Sequence, residues 1–366
     1  MNKSSGERAT GIKMKIVFVI PNMTGGGTER VISLLSEEYI RMGIDVAIMQ
    51  FAGYERAYEL DKKIEDFSVA SKSNGNPIIM IRRLVNMRKF FKQNPDCLIF
   101  SFCVMGAVFS VISTFGMKRY ILVAERSSPD SCKQVNLRNW AYKRTNRITF
   151  QTGEGITYFP DWIKSKAVVI PNPIDSAIPK PHRGTRTRRI VSVGRLHAVK
   201  NHALLFEAFA DFSGQFPDYE LHIYGQGELE AELKEKAVSL GISDKIVWHG
   251  FRKNVTEEIR DAGMFVSTSN YEGISNSMLE ALAMGIPSIC TDCPIGGARS
   301  YIEHEKNGLL IPVRDKEALT KAMVRIASDE SFAAQLSENA AKVRDKYSLN
   351  SIAVKFLEAA GVNLKE

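Results

Sequence analysis

Short apolar runs alternate with helical patterns through most of the chain. The first half contains four runs that are typical of buried strands: KIVFVI (15–20), DVAIMQF (45–51), CLIFSF (97–102) and RYILVAE (119–125). An amphipathic pattern over about 28–42 follows the first run, and the half ends with AVVIPNPID (167–175). This alternation of strand and helix predicts a parallel sheet with helices on both faces.

The same alternation restarts after a segment with the composition of a linker. SAIPKPHRGTRTRR (176–189) has two prolines, one glycine and five basic residues. Five strand-like runs follow: RIVSVG (189–194), YELHIYG (219–225), KIVWHG (245–250), MFVSTS (264–269) and PSICTD (287–292). We therefore predict a doubly wound α/β protein with domains at 14–175 and 188–345, and a C-terminal helix in 346–366 that packs back on the first domain.

The composition is that of a soluble globular protein, with 44% hydrophobic and 25% charged residues. An uncharged stretch, 97–117, is long enough to cross a bilayer, but its pattern favours a buried strand followed by a buried helix. The first thirteen residues lack the apolar core of a signal peptide, so we expect a cytoplasmic protein with free thiols at its five cysteines. Cys290 and Cys293 form a C-x-x-C, which indicates a buried pair or, alternatively, a redox or metal site.

The positive charge is concentrated in the first half. Of the net charge of +8, residues 14–171 carry +8 and residues 172–366 carry −2. A helix near 78–93 has five basic residues and no acid, with an apolar side formed by Ile81, Leu84, Met87 and Phe91. We expect an anionic membrane surface or a phosphate-bearing acceptor as partner, because no nucleic-acid-binding motif is present. The alternative is an ordinary solvated helix over the core.

Two carboxylates stand out in the segment YEGISNSMLEALAMGIPSICTD (271–292). Glu272 precedes a helix, in a loop with Gly273, whereas Glu280 lies within the helix among apolar residues. A carboxylate in that position must meet a polar ligand or a partner, because an unpaired buried charge is costly. Ser275 or Asn276 can cap the helix, and its free N–H groups then favour phosphate oxygens.

A second candidate for phosphate binding follows the first strand of the second half. In VGRLHAVKN (193–201), Arg195 and Lys200 lie in a loop that opens a helix, the usual place for a phosphate site in a doubly wound fold. Two fixed cations there would stabilise the negative charge of a bound phosphate group. The chain has no D-x-D triplet to hold a divalent ion, so we expect no metal and no cofactor.

These segments resemble glycosyltransferase family 4, most closely its bacterial enzymes of capsule, O-antigen and lipid-linked glycan synthesis. The family signature is E-x7-E, matched here by residues 272–280, together with G-R-L-x-x-x-K, matched by 194–200. The resemblance covers about residues 14–330. It implies the GT-B architecture, in which two Rossmann-like domains face a central cleft, and a retaining transfer of a hexose or N-acetylhexosamine from a UDP-sugar.

The resemblance also implies a role for individual residues of the second domain. Arg195 and Lys200 would grip the diphosphate, Glu272 would contact the transferred sugar, and Glu280 would hold the ribose. The remaining donor-binding residues would be those of the neighbouring loops: Gly225, Trp248, Ile274, Ser275 and Asn276.

In the first domain the resemblance concerns two loops. Gly26 and Gly27, in NMTGGGTER (22–30), would let backbone N–H groups approach the diphosphate. A dinucleotide fingerprint is disfavoured there, because Arg30 occupies the third glycine position. Glu125 and Arg126 would lie near the acceptor or the sugar, or would form a structural ion pair.

The predicted function is therefore transfer of a sugar to a hydroxyl of a glycan or polyprenyl-diphosphate-linked acceptor in cell-surface polysaccharide synthesis. We expect the enzyme to work at the inner face of the cell membrane as a peripheral protein. A GT-B nucleotide-sugar epimerase, acting without an acceptor, is the main alternative. A glycosidase or a non-catalytic assembly partner is a weaker one.

Overall fold

A computed structural model describes residues 14–24, 26–69, 77–126 and 132–362. The first sheet has seven strands: β1 Lys15–Ile20, β2 Asp45–Gln50, β3 Glu65–Ser68, β4 Leu98–Phe102, β5 Tyr120–Glu125, β6 Arg147–Phe150 and β7 Ala167–Val169. Their spatial order is β3-β2-β1-β4-β5-β6-β7. The pairs among β1–β5 are parallel, with Phe18 of β1 opposite Ile48 of β2 and Phe100 of β4.

Helices connect these strands. They are α1 Gly27–Arg41, α2 Pro77–Gln93, α3 Val104–Ser113, α4 Val135–Lys143, α5 Gly153–Thr157 and α6 Asp161–Lys164. Aromatic side chains fill the layer between sheet and helices: the ring of Phe18 lies 6.2 Å from that of Tyr39 on α1 and 5.8 Å from those of Phe100 and Phe102. All four side chains are fully buried.

The second sheet repeats this arrangement with six parallel strands: β8 Thr187–Val193, β9 Glu220–Tyr224, β10 Ile246–Gly250, β11 Ala262–Ser267, β12 Ser288–Thr291 and β13 Leu309–Ile311. Its order is β10-β9-β8-β11-β12-β13. In both sheets the direction of winding reverses next to the first strand, between β1 and β4 and between β8 and β11. Ligands of doubly wound proteins bind at such reversal points, beyond the carboxyl ends of the strands.

Eight helices are described in the second half: α7 His202–Gln215, α8 Glu230–Ser239, α9 Val255–Ile259, α10 Asn276–Ala283, α11 Lys316–Ser328, α12 Glu330–Ala341, α13 Val343–Lys346 and α14 Leu349–Ala359. Phe206, Phe209 and Phe212 of α7 are fully buried in the core of this half. The spacing of three residues puts these rings on one face of the helix. The predicted alternation of strand and helix is thus confirmed in both halves.

The chain divides into two compact units. Of the described residues, one unit comprises those from Met14 to Glu125, 134–148 and 357–362, and the other comprises Arg126, 132–133 and 149–356. The predicted limits at 175, 188 and 346 differ from this division, since 149–175 groups with the second unit. Within the first unit, the Tyr120 hydroxyl donates a hydrogen bond to the carbonyl of Ala359, 2.6 Å away. Residues 363–366 of the predicted final segment lie outside the described residues.

The uncharged stretch 97–117 forms β4 and α3, as its pattern predicts. Ser110 and Ser113 are buried in α3, and their hydroxyls bond to Ser101 and to the helix backbone. Because these hydroxyls are hydrogen-bonded, the serine side chains can be buried in the core without a large free-energy cost. Among the described residues, none of the helices combines the length and the apolar character needed to cross a bilayer.

Helix α2 differs from the prediction in the direction of its apolar side. Met87 and Phe91 are fully buried in the core, and of the four predicted outward residues only Ile81 is exposed. Arg88 does not face solvent freely either, because its guanidinium donates to the carbonyls of Ser113 and Phe115 at the end of α3. The exposed apolar residues of the helix are Ile81 and three residues outside the predicted set, Ile78, Met80 and Val85.

Candidate active site

The candidate site lies at the reversal point of the second sheet, where β8 and β11 end. The loop after β8 makes one turn of 3₁₀ helix at Ala198–Lys200 and then starts α7. Thr268, just beyond β11, donates its hydroxyl to the carbonyls of Lys200 and Asn201, at 3.0 and 2.9 Å. The two strand ends are therefore fixed to each other by side-chain hydrogen bonds.

Lys200 and Glu272 form an ion pair at this point. The ammonium group of Lys200 donates to Oε2 of Glu272, and the hydroxyl of Ser269 donates to the same oxygen at 3.2 Å. The side chains are 22% and 25% exposed. They are thus reachable by a ligand but shielded enough for the pairing to matter. The two residues are predicted by separate motifs, and the fold brings them into direct contact.

Arg195 lies in the same loop and is exposed. Its guanidinium makes no hydrogen bond or ion pair with any residue in the described part of the chain. A second cation is therefore available close to the Lys200–Glu272 pair in sequence, without a protein carboxylate to neutralise it. Such a group is suited to bind an anion with two hydrogen bonds at once.

Gly225 permits the close packing of the neighbouring loop. With φ of +148°, it lies so near the β8 loop that an added Cβ would come within 1.9 Å of the Gly194 carbonyl oxygen. Its N–H donates to the carbonyl of Gly250, at 2.8 Å. The loops after β8, β9 and β10 are therefore stacked backbone against backbone at the strand-end edge.

Trp248 has a different environment from the other predicted donor-binding residues. Its ring packs edge-on against Phe206, with centroids 5.8 Å apart, and under the ammonium group of Lys234 at 5.5 Å. These partners belong to α7 and α8, so the indole is part of the helix layer. Phe251, which follows the same strand, is instead 72% exposed.

Helix α10 begins beside Glu272. Ser275 caps the helix by accepting a hydrogen bond from the N–H of Met278, and Ser277 donates to the carbonyl of Val193 at the end of β8. Of the two predicted caps, Ser275 is thus the one used. Ile274 and Ser275 are buried, and Glu280 is half-buried in the second turn. The first turn of α10 therefore faces the same strand end as Lys200.

A tight loop holds the backbone of Glu272. Its N–H donates to the carbonyl of Pro294 at 2.9 Å, and the N–H of Ile295 donates back to the Glu272 carbonyl at 3.2 Å. An added Cβ on Gly297 would lie 1.4 Å from the carbonyl oxygen of Gly273. Only glycine fits at position 297, so the 293–297 loop is a support of Glu272 that the sequence motifs do not reveal by themselves.

Asn172 joins several site segments. It is 2% exposed, and its Oδ1 accepts hydrogen bonds from Arg126 and, at 2.9 Å, from Gln151. Its Nδ2 donates to Oδ1 of Asn276 at 2.7 Å. Burial lowers the pKa of Arg126 to about 10, which still leaves it charged at neutral pH. Arg126 thus reaches α10 through Asn172, a residue whose role the motifs do not indicate.

Glu125 has a separate partner. The hydroxyl of Tyr142 donates to Glu125 Oε2 at 2.5 Å, and both side chains are buried. Burial, reinforced by the Glu125 carboxylate, raises the pKa of Tyr142 well above its ordinary value, so it remains a hydrogen-bond donor. Arg126 likewise has a neutral hydrogen-bonding partner, Asn172.

In the glycine-rich loop after β1, α1 begins at Gly27, and Gly26 precedes it with extended backbone. The carboxylate of Glu29 folds back over Gly26, so that an added Cβ there would lie 2.4 Å from Glu29 Oε2. The Tyr58 hydroxyl donates to the Gly26 carbonyl at 3.3 Å. This loop follows β1, the strand next to the reversal point of the first sheet.

The C-x-x-C pair lies behind Glu272. Cys290 and Cys293 are each 2% exposed and line a cavity of about 10 Å³ with Glu272, Ser269 and Thr291. Burial, with Glu272 close by, raises the pKa of Cys293 to about 11, and burial also raises that of Cys290. Both residues therefore remain protonated thiols at neutral pH, in agreement with the predicted buried pair.

The second half of the chain is similar to a known protein family. Residues 174–343 match the family model described as glycosyl transferases group 1. An uncharacterized glycosyltransferase of Haemophilus influenzae is 24% identical over 92% of this chain and 97% of its own. A Campylobacter jejuni protein is also 24% identical, over 94% and 98% of the two chains; its name describes an α-1,4-N-acetyl-D-galactosaminyltransferase acting on a glycan linked to PP-undecaprenol.

Solved structures agree on the fold. Alr3699/HepE of Anabaena, crystallised with UDP, superposes with a TM-score of 0.81 at 19% identity, over 95% of this chain and all of its own. The apo lipopolysaccharide outer core galactosyltransferase WaaB superposes with a TM-score of 0.74 at 20% identity, over 94% and 99%. Residues 174–343 therefore form a region that matches the group 1 glycosyl transferases, and the two parallel sheets have the fold of the GT-B glycosyltransferases.

Proposed function

We propose that the protein transfers a hexose or N-acetylhexosamine from a UDP-sugar to a hydroxyl of a glycan or polyprenyl-diphosphate-linked glycan, with retention of the anomeric configuration. The observation that carries the proposal is the grouping of Arg195, Lys200 and Glu272 at the reversal point of the second sheet, beside the first turn of α10. It is supported by the UDP bound to the Anabaena protein and by the undecaprenol-linked substrate in the Campylobacter protein's name.

In the proposed reaction, the acceptor oxygen forms a bond to the anomeric carbon as the bond from that carbon to the β-phosphate oxygen breaks. The acceptor proton passes to an oxygen of the departing diphosphate on the same face of the sugar. Arg195 and Lys200 stabilise the negative charge that grows on this diphosphate, more strongly in the transition state than in the bound donor. Glu272, released from Lys200, accepts hydrogen bonds from the sugar hydroxyls.

Other predicted residues complete the donor site. Glu280 binds the ribose hydroxyls, and the backbone of 274–276 approaches the sugar and diphosphate at the positive end of α10. Gly225 and the strand end after Trp248 lie on the nucleotide side. The roles that the family resemblance implies for Gly26, Gly27, Glu125 and Arg126 stay predictions.

We propose further that the two cations perform the role a divalent ion has in other transferases, and that the enzyme acts at the inner face of the cell membrane in cell-surface polysaccharide synthesis. Transfer activity should then survive EDTA. The two full-length relatives are named as glycosyltransferases, which favours transfer over epimerisation. An epimerase would release nucleotide without any acceptor, whereas the proposed enzyme releases UDP in proportion to the acceptor supplied.

Arg195→Ala provides the sharpest test. Because Arg195 is exposed and has no described side-chain partner, its loss should leave the melting temperature unchanged while turnover falls about 100- to 1000-fold. Arg188→Ala is the matched control, since Arg188 is an exposed cation at the opposite end of β8. A panel of nucleotide sugars in a thermal-shift assay identifies the donor. Near-normal turnover of the Arg195 variant, or an inverted linkage in proton NMR of the product, would contradict the mechanism.

A further inference from the structure

An exposed apolar line runs along the first half of α2. Four of its side chains are large, hydrophobic and open to solvent: Ile78 (71% exposed), Met80 (49%), Ile81 (61%) and Val85 (58%). Ile78, Ile81 and Val85 are spaced three and four residues apart, so they form one stripe about 10 Å long. The opposite side of the helix is anchored in the core by Met87 and Phe91. The stripe therefore cannot be buried by a simple rotation of the helix.

The exposed charges of the same helix are all basic. Arg82, Lys89 and Lys92 are exposed, and α2 contains no acidic residue. Arg82 lies beside the apolar stripe, whereas Lys89 and Lys92 follow it by one and two turns, about 6 to 10 Å further along the axis. The helix thus presents an apolar end and a cationic end on one outward side.

Phe115 extends this surface from the neighbouring helix. It follows α3, is 76% exposed, and its carbonyl accepts a hydrogen bond of 2.8 Å from Arg88 of α2. Ile112 and the basic Lys118 near it are also exposed. Arg88 thereby fixes the end of α3 to α2 with its side chain.

We propose that this surface, made of Ile78, Ile81, Val85 and Phe115 with Arg82, Lys89 and Lys92, docks the protein on an anionic phospholipid bilayer. The apolar residues enter the acyl region, and the lysines remain at the level of the lipid phosphates. The charge pattern of the helix indicates an anionic bilayer as the partner. Exposed aliphatic side chains lie beside exposed cationic ones on the helix, and the helix has no acidic residue. Such a surface is complementary to a bilayer with an apolar interior and anionic headgroups. This inference concerns a surface of the first unit and does not depend on the proposed donor chemistry.

Binding to vesicles tests the proposal. The purified protein should float with vesicles containing about one third phosphatidylglycerol and should stay behind with pure phosphatidylcholine. Neutralising the three cations (Arg82→Gln, Lys89→Gln, Lys92→Gln) should weaken binding roughly 100-fold at low salt, since each basic residue contributes about fivefold. A matched variant (Lys306→Gln, Lys321→Gln, Lys342→Gln) removes the same net charge from exposed sites of the second unit, and it should bind as the wild type does.

Polar replacement of the apolar stripe (Ile78→Ser, Ile81→Ser, Val85→Ser) should reduce binding at least tenfold. Val238→Ser is the control, because Val238 is 69% exposed on α8. Orientation is tested by single tryptophans: Ile81→Trp should be quenched by lipids brominated in the acyl chain, and Lys89→Trp should be quenched much less. Because all these residues are exposed, melting temperatures should stay unchanged.

Three results would overturn the proposal. One is equal binding to neutral and anionic vesicles; another is equal loss of binding in the matched second-unit variant. The third is a concentration-dependent dimer in solution that the Ser variant dissociates while no variant binds vesicles, which would assign the stripe to self-association. Transfer to a water-soluble acceptor should be the same in all docking variants. Failure of the proposed transferase chemistry would therefore show in that assay and leave vesicle binding intact.

Discussion

A single methyl group added at position 297 should disturb the support of Glu272. In Gly297→Ala, the new Cβ would begin 1.4 Å from the carbonyl oxygen of Gly273, whereas real Cβ contacts stay above 3.0 Å. One of the two loops must therefore move by at least 1.6 Å. Neither contact atom is the end of a flexible side chain, so the shift has to be made by the backbone.

The expected cost follows from the bonds that join these loops. A movement of this size breaks both backbone hydrogen bonds between Glu272 and the Pro294–Ile295 segment, which measure 2.9 and 3.2 Å. At about 1 kcal/mol each, together with about 1–3 kcal/mol for overpacking, the free energy of unfolding should fall by about 3–5 kcal/mol. Displacing Glu272 by more than 1 Å should also lower turnover about 100-fold.

Urea unfolding and a coupled assay of UDP release measure the two effects separately. Gly214→Ala is the control: Gly214 lies in α7 with open space around it, so the alanine should leave activity unchanged and add up to about 1 kcal/mol of stability. If Gly297→Ala kept wild-type stability and turnover, the 293–297 loop could not be the support of Glu272.

Two further predictions concern stability. Asn172→Ala removes three buried side-chain hydrogen bonds, to Arg126, Gln151 and Asn276, and should lower the free energy of unfolding by about 2–3 kcal/mol in urea titrations. Asn172→Asp, which keeps the acceptor, should restore part of it. Burial, with Lys200 nearby, lowers the pKa of His202 to about 4, below its ordinary 6.5. The unfolded chain thus binds this proton first, and stability should decline by up to about 3 kcal/mol as the pH falls from about 6.5 to 4; in His202→Gln, calorimetry over this range should show a flatter profile.

Much of the fold follows from local pattern. Continuous apolar runs such as 15–20 and 97–102 favour buried strands, and the helices between them are amphipathic enough to cover a parallel sheet. The exception is α2, where apolar residues occur on two sides. Periodicity alone could not decide which side packs inward, since that choice depends on Met87 and Phe91 filling the core and on Arg88 bonding to the end of α3.

The candidate site was predictable where its residues lie in one motif. Glu272 and Glu280 share the α10 segment, and Arg195 and Lys200 share the loop after β8. The contact between Lys200 and Glu272 spans 72 positions and depends on the adjacency of β8 and β11, which no local pattern encodes. Asn172 was missed for a related reason. An asparagine before a proline indicates only a turn, and the three side-chain hydrogen bonds of Asn172 exist only in the folded chain.

The Lys200–Glu272 ion pair joins two side chains that the proposed reaction assigns to different parts of the donor. In the proposed reaction, an incoming donor must exchange that contact for two new ones, with its diphosphate on the lysine and its sugar hydroxyls on the glutamate. Inorganic phosphate or free UDP can provide only the contact with Lys200. Neither of them replaces the partner that Glu272 loses when the ion pair opens. The same difference favours dissociation of UDP after transfer, because the Glu272 carboxylate then competes with the diphosphate for the Lys200 ammonium group. Product inhibition should accordingly be weaker than the donor's affinity suggests.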